Sequence, residues 1–573
     1  MKKSNLVIII LTILLTASSS ANVILEIRIN GFRSPISKNV LKMGVPAGRS
    51  PEALDPIDIR YSESKDVIRH VCDTLWVYDL TDPNLPLKLR LATNYSWNIE
   101  MDELTVSLRN GVWFHDGTKF NATAVKFTFD RITYFINASG SLPSTSYYVC
   151  YTSYLFFDMN NEPILNRTEI IDEYTIKLIL NHPNGVFIAL LCYEACSIVS
   201  PESTPATENL LLSEDILVGT GPFEYIHFIA GEELRIERFD LYWGFNTFWD
   251  YIIWEYYPDT TSVNNAFLDG KFDYLKYPLF SFIPEFKAHG EFHFVEMNTS
   301  TIFRYWAINN NEINNTNIRK AIAYAYNYSY FIEKTLQGGA IRAEQILPPG
   351  FLNYNSSFKA PYYNTSIARL AMKEAFPIET AGLTLQAYGE NFTNDAAWAA
   401  LTLVIYQGYD YEGWIPGMEM IDALNNDMDK IGIYFETEWD PWDIGWWSLK
   451  PKPWECGIWY TGWSPNYLDP FNMLAPILSN KSSHEYANIR TNDYLIDKWL
   501  RQYEKTDPTN ITRRAELIFK IQQRAINELY LLLPICFDKT LFVHHRSLGG
   551  VSYNILGNLW LADSYFIPGI QKA

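Results

Sequence analysis

Cysteine is scarce in this chain, with six in 573 residues: Cys72, Cys150, Cys192, Cys196, Cys456 and Cys536. That supply is too thin for a disulfide scaffold, although an oxidising compartment would permit bridges among them. Cys192 and Cys196, four apart, share a helical turn if the segment is helical and are the expected local pair. No Cys/His spacing typical of zinc accompanies them. Basic clusters are also missing: 46 Lys and Arg stand against 65 Asp and Glu, a net charge of −19, which excludes nucleic acid and anionic membrane as natural partners. There is no Gly-x-Ser-x-Gly, His-Glu-x-x-His or phosphate-cradling glycine loop. No spacing singles out a carboxylate pair for acid/base work. Strand-like alternation separates His289 from His293 and turns His544 and His545 to opposite faces. No catalytic residue, metal ligand or cofactor is therefore assigned.

Long apolar runs are confined to the beginning. Residues 1–21 combine Lys2 and Lys3, an apolar stretch from Leu6 to Leu15 and the small residues Ala17 to Ala21, the layout of a secretory signal. An uncleaved signal-anchor is the alternative, but the apolar core falls short of the roughly 20 residues that span a bilayer. No Cys stands where bacterial lipid anchoring would need one. The expected location is extracytoplasmic, at the cell surface or secreted. The remaining 552 residues exceed one hydrophobic core, so two or three domains are expected. Twelve Asn-x-Ser/Thr sequons, among them Asn121, Asn327, Asn364 and Asn510, suit a glycosylated surface protein, or simply reflect Asn richness.

Period-two strands such as Thr175 to Leu180 alternate with amphipathic helices, which indicates a mixed α/β protein. The stretch Leu104 to Arg131 reads as a strand, a turn at His115-Asp116-Gly117, and a helix with Val125, Phe129, Ile132 and Ile136 on one side. His115 and Asp116 brace that turn in this reading. Asn317 is the expected N-cap of a helix carrying Ile318, Ala321, Ile322, Ala325 and Ile332. Another helix is expected from about Pro508 to Leu529.

The run Leu108-Arg-Asn-Gly-Val-Trp-Phe-His-Asp-Gly117, continued through Ala124-Val125-Lys-Phe127 to Arg131, resembles the signature of family 5 extracytoplasmic solute-binding proteins, receptors of ABC importers. The resemblance recurs in order at Leu54-Asp55-Pro56, Gly219-Thr-Gly-Pro-Phe223, Arg238 to Gly244, Ala266 to Asp273, Asn317 to Ala325 and Gly462 to Pro470. It covers about residues 40 to 560. It implies a two-lobed periplasmic-binding-protein-like α/β fold (type II, class C) with an extra subdomain in the first lobe. By analogy, 22–67, 200–297 and 535–573 form the base of lobe 1, 68–199 its extra subdomain and 298–534 lobe 2.

In peptide-binding members a carboxylate in the Gly-Trp loop anchors the ligand's amino group; aligning Gly462-Trp463 with that loop puts Asn466 in its place. An amide offers a dipole where a buried ammonium needs a charge. Asp469 could substitute, or close the loop structurally. Seven tryptophans fall between Trp439 and Trp463, and indole faces stack on sugar rings or other planar groups. At least four of the seven are assigned to the core. The resemblance selects Trp463, Ser464, Asn466 and Tyr467 from the second lobe and Arg60, Tyr61 and Ser62 from the first. The expected function is capture of an uncharged oligosaccharide or oligopeptide by a monomer that delivers it to ABC permease subunits. A peptide receptor that leaves the amino terminus ungripped, a carbohydrate-active enzyme and a sensory receptor are the alternatives.

Overall fold

The computed structural model describes residues 39–567, apart from 52–53, 60–61, 80–81, 83–84, 137–151, 211–215, 277, 298–299, 379, 383, 386–401, 408–416, 440–456, 481–488, 490, 553–555 and 557–559. Three sheets organise it. A seven-stranded base sheet runs in the order Phe292–Met297, Thr540–His545, Tyr274–Leu275, Val40–Pro46, Tyr251–Tyr257, Glu233–Arg238, Phe223–Ile229. A six-stranded sheet runs Ala340–Arg342, Leu532–Asp538, Phe303–Ile308, Ile458–Trp463, Thr402–Gln407, Tyr434–Trp439. A four-stranded sheet, Ala92–Trp97, Glu103–Leu108, Thr175–Leu180, Leu165–Asp172, is inserted between strands of the base sheet. Neighbouring strands in the four-stranded sheet are antiparallel, and burial alternates along Glu103–Leu108 as the period-two pattern requires.

The chain passes from the base sheet to the six-stranded sheet between Met297 and Phe303, and returns between Asp538 and Thr540. The return lies a few residues beyond the expected boundary at 534/535, because Leu532–Asp538 is one continuous buried strand of the six-stranded sheet. Side by side, the crossings bind each other: Ser300 Oγ donates to the Asp538 carbonyl at 2.7 Å and the Asp538 N–H donates to the Ile302 carbonyl at 3.1 Å.

Helix α1, Ser62–Val71, and helix α2, Ala122–Phe135, follow the expected pattern, and Asn121 Oδ1 caps α2 by accepting from the Thr123 and Ala124 N–H groups. Helix α3 spans Thr316–Ala325 and is capped by Asn315, not Asn317. Asn317 already lies in the first turn, where its N–H donates to Asn315 Oδ1 at 2.9 Å, and Ile332 belongs to a later π-helical turn. Helix α4 is Tyr494–Glu504. Helix α5 is shorter than expected, Ile511–Gln522, because Asn510 caps it and the chain continues as a π-helical turn over Gln523–Glu528. Four sequon asparagines, Asn121, Asn327, Asn364 and Asn510, accept backbone N–H groups at helix starts. Capping thus supplies a local reason for Asn at those positions.

The expected Cys192–Cys196 bridge does not form. Both thiols are buried and unpaired, as are Cys72 and Cys536. Leu191 closes a short helix and Cys196 ends a separate 3-10 turn, so no single helical turn carries both. His293 and His544 are cross-strand partners: His544 Nδ1–H donates to the His545 carbonyl, so its Nε2 accepts from His293 at 3.1 Å.

The motifs quoted from the sequence hold distant segments together. Asp55 accepts from both terminal nitrogens of Arg131 and from the Leu210 N–H, tying the segment after the first base strand to the second half of α2. His115 Nδ1 accepts the Gly219 N–H at 3.3 Å, which leaves Nε2–H to donate to the Gly221 carbonyl at 3.0 Å. Burial lowers its pKa to about 4, so the bridge stays neutral. Asp116 braces the turn by accepting from Thr118, Ser200 and Ser203. Gly219 and Gly221 press against the end of α1, where a Cβ on Gly221 would lie 2.6 Å from the His70 carbonyl oxygen. Gly221→Ala should therefore lower the unfolding free energy by about 2–3 kcal/mol. Gly290→Ala, whose Cβ meets nothing within 4 Å, should change it by under about 0.5 kcal/mol. Urea denaturation of the two variants measures the contrast.

Candidate functional site

Two segments face each other across the halves. From the first come α1, the 3-10 turn Ser153–Phe156 and the stretch Tyr193–Glu194; from the second comes the loop that follows the strand Ile458–Trp463. The loop is built from behind. Trp463 is buried at 5 % exposure and its indole N–H donates to the Asn472 carbonyl at 2.6 Å. Asn472 Oδ1 accepts the Asn466 N–H at 2.5 Å. Asp469 caps the helix Pro470–Leu478 by accepting the Phe471 N–H, and its other oxygen pairs with Arg514. Both roles are structural, so Asp469 closes the loop and is not presented to a ligand.

The candidate residues therefore separate. Asn466 reaches the opposite half: its Nδ2 donates to the Tyr154 hydroxyl, and its Oδ1 accepts from Lys65 Nζ at 3.3 Å. Ser464 Oγ shares a hydrogen bond with Thr301 Oγ1 on the first crossing, at 3.2 Å. Tyr467 is buried at 3 % exposure, and burial pushes its phenol far above the usual range. Ser62 opens α1 and donates to Glu63. Arg60 and Tyr61 lie outside the described residues, as do Trp442, Trp446, Trp447 and Trp454. Trp459 is buried in the core.

Sequence reasoning missed Lys65, one helical turn beyond Ser62. Its ammonium lies over the Tyr193 ring, 5.1 Å from the centroid, and touches the second half through Asn466. Desolvation lowers its pKa to about 8, against the attraction of Glu194. The only available signal was its spacing from the 60–62 loop. Tyr78 was missed too; its hydroxyl accepts the Leu468 N–H at 3.1 Å, a further bond between the halves. A cavity of about 220 Å³ opens beside this region, lined by Asp73, Tyr78, Arg90, Glu194 and Trp560 among others. Its charged walls are paired, Arg90 with Asp73 and Lys88 with Asp79.

Lys65 puts a positive charge beside Asn466. An incoming ammonium at Asn466 would meet a dipole on one side and a like charge on the other. Two unit charges roughly 5 Å apart at an effective dielectric near 20 repel by about 3 kcal/mol.

A second contact between the halves lies at the end of α4. The Gly185 N–H donates to the Glu504 carbonyl at 2.7 Å, and Arg514 donates to the Gly185 carbonyl at 3.1 Å. The Glu504 carboxyl accepts from the Met159 N–H and the Asn184 amide. A Cβ on Gly185 would stand 2.1 Å from the Thr506 carbonyl oxygen, so only glycine fits.

Residues 87–485 match the family described as bacterial extracellular solute-binding proteins, family 5. The dipeptide-binding protein of Escherichia coli K12 is 24% identical over 405 residues, covering 68% of this chain and 70% of that one. The glutathione-binding protein of the same strain is 23% identical over 527 residues, 88% and 91% of the two chains. The crystal structure of a dipeptide-binding protein from Pseudoalteromonas sp. SM9913 with Met-Leu superimposes with a TM-score of 0.70 at 20% identity, covering 92% of this chain and all of that one.

Burial raises the Glu504 pKa from its ordinary 4.5 to about 8, opposed by the Met159 N–H and reinforced by Asp158. Between those values the folded protein holds a proton that the unfolded chain has released. The contribution is complete below about 4.5 and is lost as pH rises through 8. The stability of wild type relative to Glu504→Gln should accordingly fall from pH 5 to 8 in urea titrations. A pH-independent difference would assign the dependence elsewhere.

Proposed function

The chain belongs to family 5 of the bacterial extracellular solute-binding proteins, and from that premise we propose that it captures a solute between its two lobes outside the cytoplasm and delivers it to an ABC permease. The observation that carries this reading is the facing pair of surfaces: Lys65, Tyr78 and Tyr154 on one side and the Asn466–Leu468 loop on the other, with the main chain passing between the halves at two crossings. In this reading the base sheet belongs to lobe 1, the four-stranded sheet to its extra subdomain and the six-stranded sheet to lobe 2, with the protein acting as a monomer. Closure is a population shift, and a ligand biases it only by contacting both lobes at once.

The relatives' names favour a peptide-sized ligand over an oligosaccharide. Asn466 removes the carboxylate that would pair with a free amino terminus, so the receptor reads other parts of its guest. Trp463 contributes by holding the loop in place as well as by any face it turns to the ligand.

A thermal-shift panel of dipeptides, glutathione, tetrapeptides and neutral oligosaccharides tests the reading. A ligand at 100 times its dissociation constant should stabilise the native state by about 2.7 kcal/mol, and small-angle scattering should show a more compact particle with that ligand. Peptides are expected to shift the melt; a response to oligosaccharides alone would reassign the ligand class. New reducing ends or new amino termini after incubation would make the protein an enzyme.

A further inference from the structure

We infer that Lys65 is the counter-charge for an acidic group on the ligand: the enclosed solute presents a carboxylate, or an anion of similar size, to the Lys65 ammonium and the Asn466 side chain. This rests on the reading that the lobes close over a solute, and it narrows the class of solute.

The argument begins with a charge count. Three cations, Lys65, Arg69 and Lys276, stand together with two carboxylates, Asp66 and Glu194. Arg69 donates to Glu194 through both Nε and a terminal nitrogen, and approaches Asp66 at 3.5 Å. Lys276 pairs with Asp66 at 2.5 Å. Both carboxylates thus already serve other cations, and none of the ion pairs among the described residues includes Lys65. Among the described residues, what Lys65 touches directly is an amide oxygen at 3.3 Å and a ring face. Neither carries a formal charge, and the attraction of Glu194 and Asp66 is shared with other cations, so a half-buried ammonium here gains from an arriving counter-charge.

Position adds the second step. Lys65 touches the opposite lobe, through the Asn466 side chain at 3.3 Å. Both ends of that contact move apart when the lobes open, so an anion entering between them meets the ammonium from one side. The Asn466 amide meets it from the other side, by swinging its Nδ2 from Tyr154. Charge-assisted hydrogen bonds of this kind are short and about twice as strong as neutral ones. The depressed Lys65 pKa agrees with a site waiting for its partner.

The test uses matched probes on the protein: tetraalanine amide with a free amino terminus, its N-acetyl and its N-succinyl derivatives, and maltotetraose beside tetragalacturonate. Titration calorimetry should find the succinylated peptide, or the uronate if sugars are the ligand, bound roughly 10- to 100-fold more tightly than its neutral counterpart. Lys65→Met should abolish that preference. The same variant should melt higher than wild type without ligand, since it removes an uncompensated ammonium and keeps the packing of the stem. A melt several degrees lower would make Lys65 a structural residue and overturn the inference. So would equal binding of acidic and neutral probes, tighter binding of the free-amine peptide, or an unaltered preference in Lys65→Met. Those outcomes leave the receptor reading standing. If no probe of any class bound wild type, that reading would fail and the inference with it.

Discussion

Two covalent crossings, at 297–303 and 538–540, constrain everything else in this molecule. Because the main chain leaves the base sheet once and returns once, the other ties seen between the halves among the described residues are hydrogen bonds and packing contacts. Individual bonds of that kind contribute about 0.5–1.5 kcal/mol net, small enough for a bound solute to tip the balance. The crossings are themselves paired through Ser300, Ile302 and Asp538, and the adjacent Arg304 pairs with Asp538.

Each half is stiffened by long-range polar braces. Asp55 with Arg131, and His115 with the Gly219 and Gly221 backbone, join segments far apart in sequence, and each is buried or nearly so. Buried pairs are costly to break singly, since the surviving partner loses both water and counter-charge. This gives the recurring motifs a mechanical meaning: they set the relation between the four-stranded sheet, α1 and the base sheet. The cleft is formed by what those braces hold in place.

At the cleft the logic is different. The second-half loop is held from behind, through Trp463, Asn472, Asp469 and Arg514, and turns the Asn466 side chain and the Leu468 N–H to the other half. Opposite it stands an ammonium. In the proposed reading that charge sets the sign of the group a ligand can bring to Asn466.

Local chemistry was legible in the chain. Alternation along Glu103–Leu108 and Thr175–Leu180, the caps, the turn at His115 to Gly117 and the ordered motifs identified the elements and the family, because each depends on residues close in sequence. The N-cap of α3 was read two residues late because neighbouring asparagines compete for the role, and geometry alone decides that Asn315 accepts from Asn317. Cys192 and Cys196 could not be judged from spacing, since a change of backbone type between them removes the shared helical face. The Gly-Trp loop was located from its sequence, yet which of its side chains face outward depends on Asn472 and Arg514, beyond the motif. Lys65 was invisible for the deepest reason. Its significance comes from the charges of residues 66, 69, 194 and 276 and the amide of Asn466, and only folding brings them together around it.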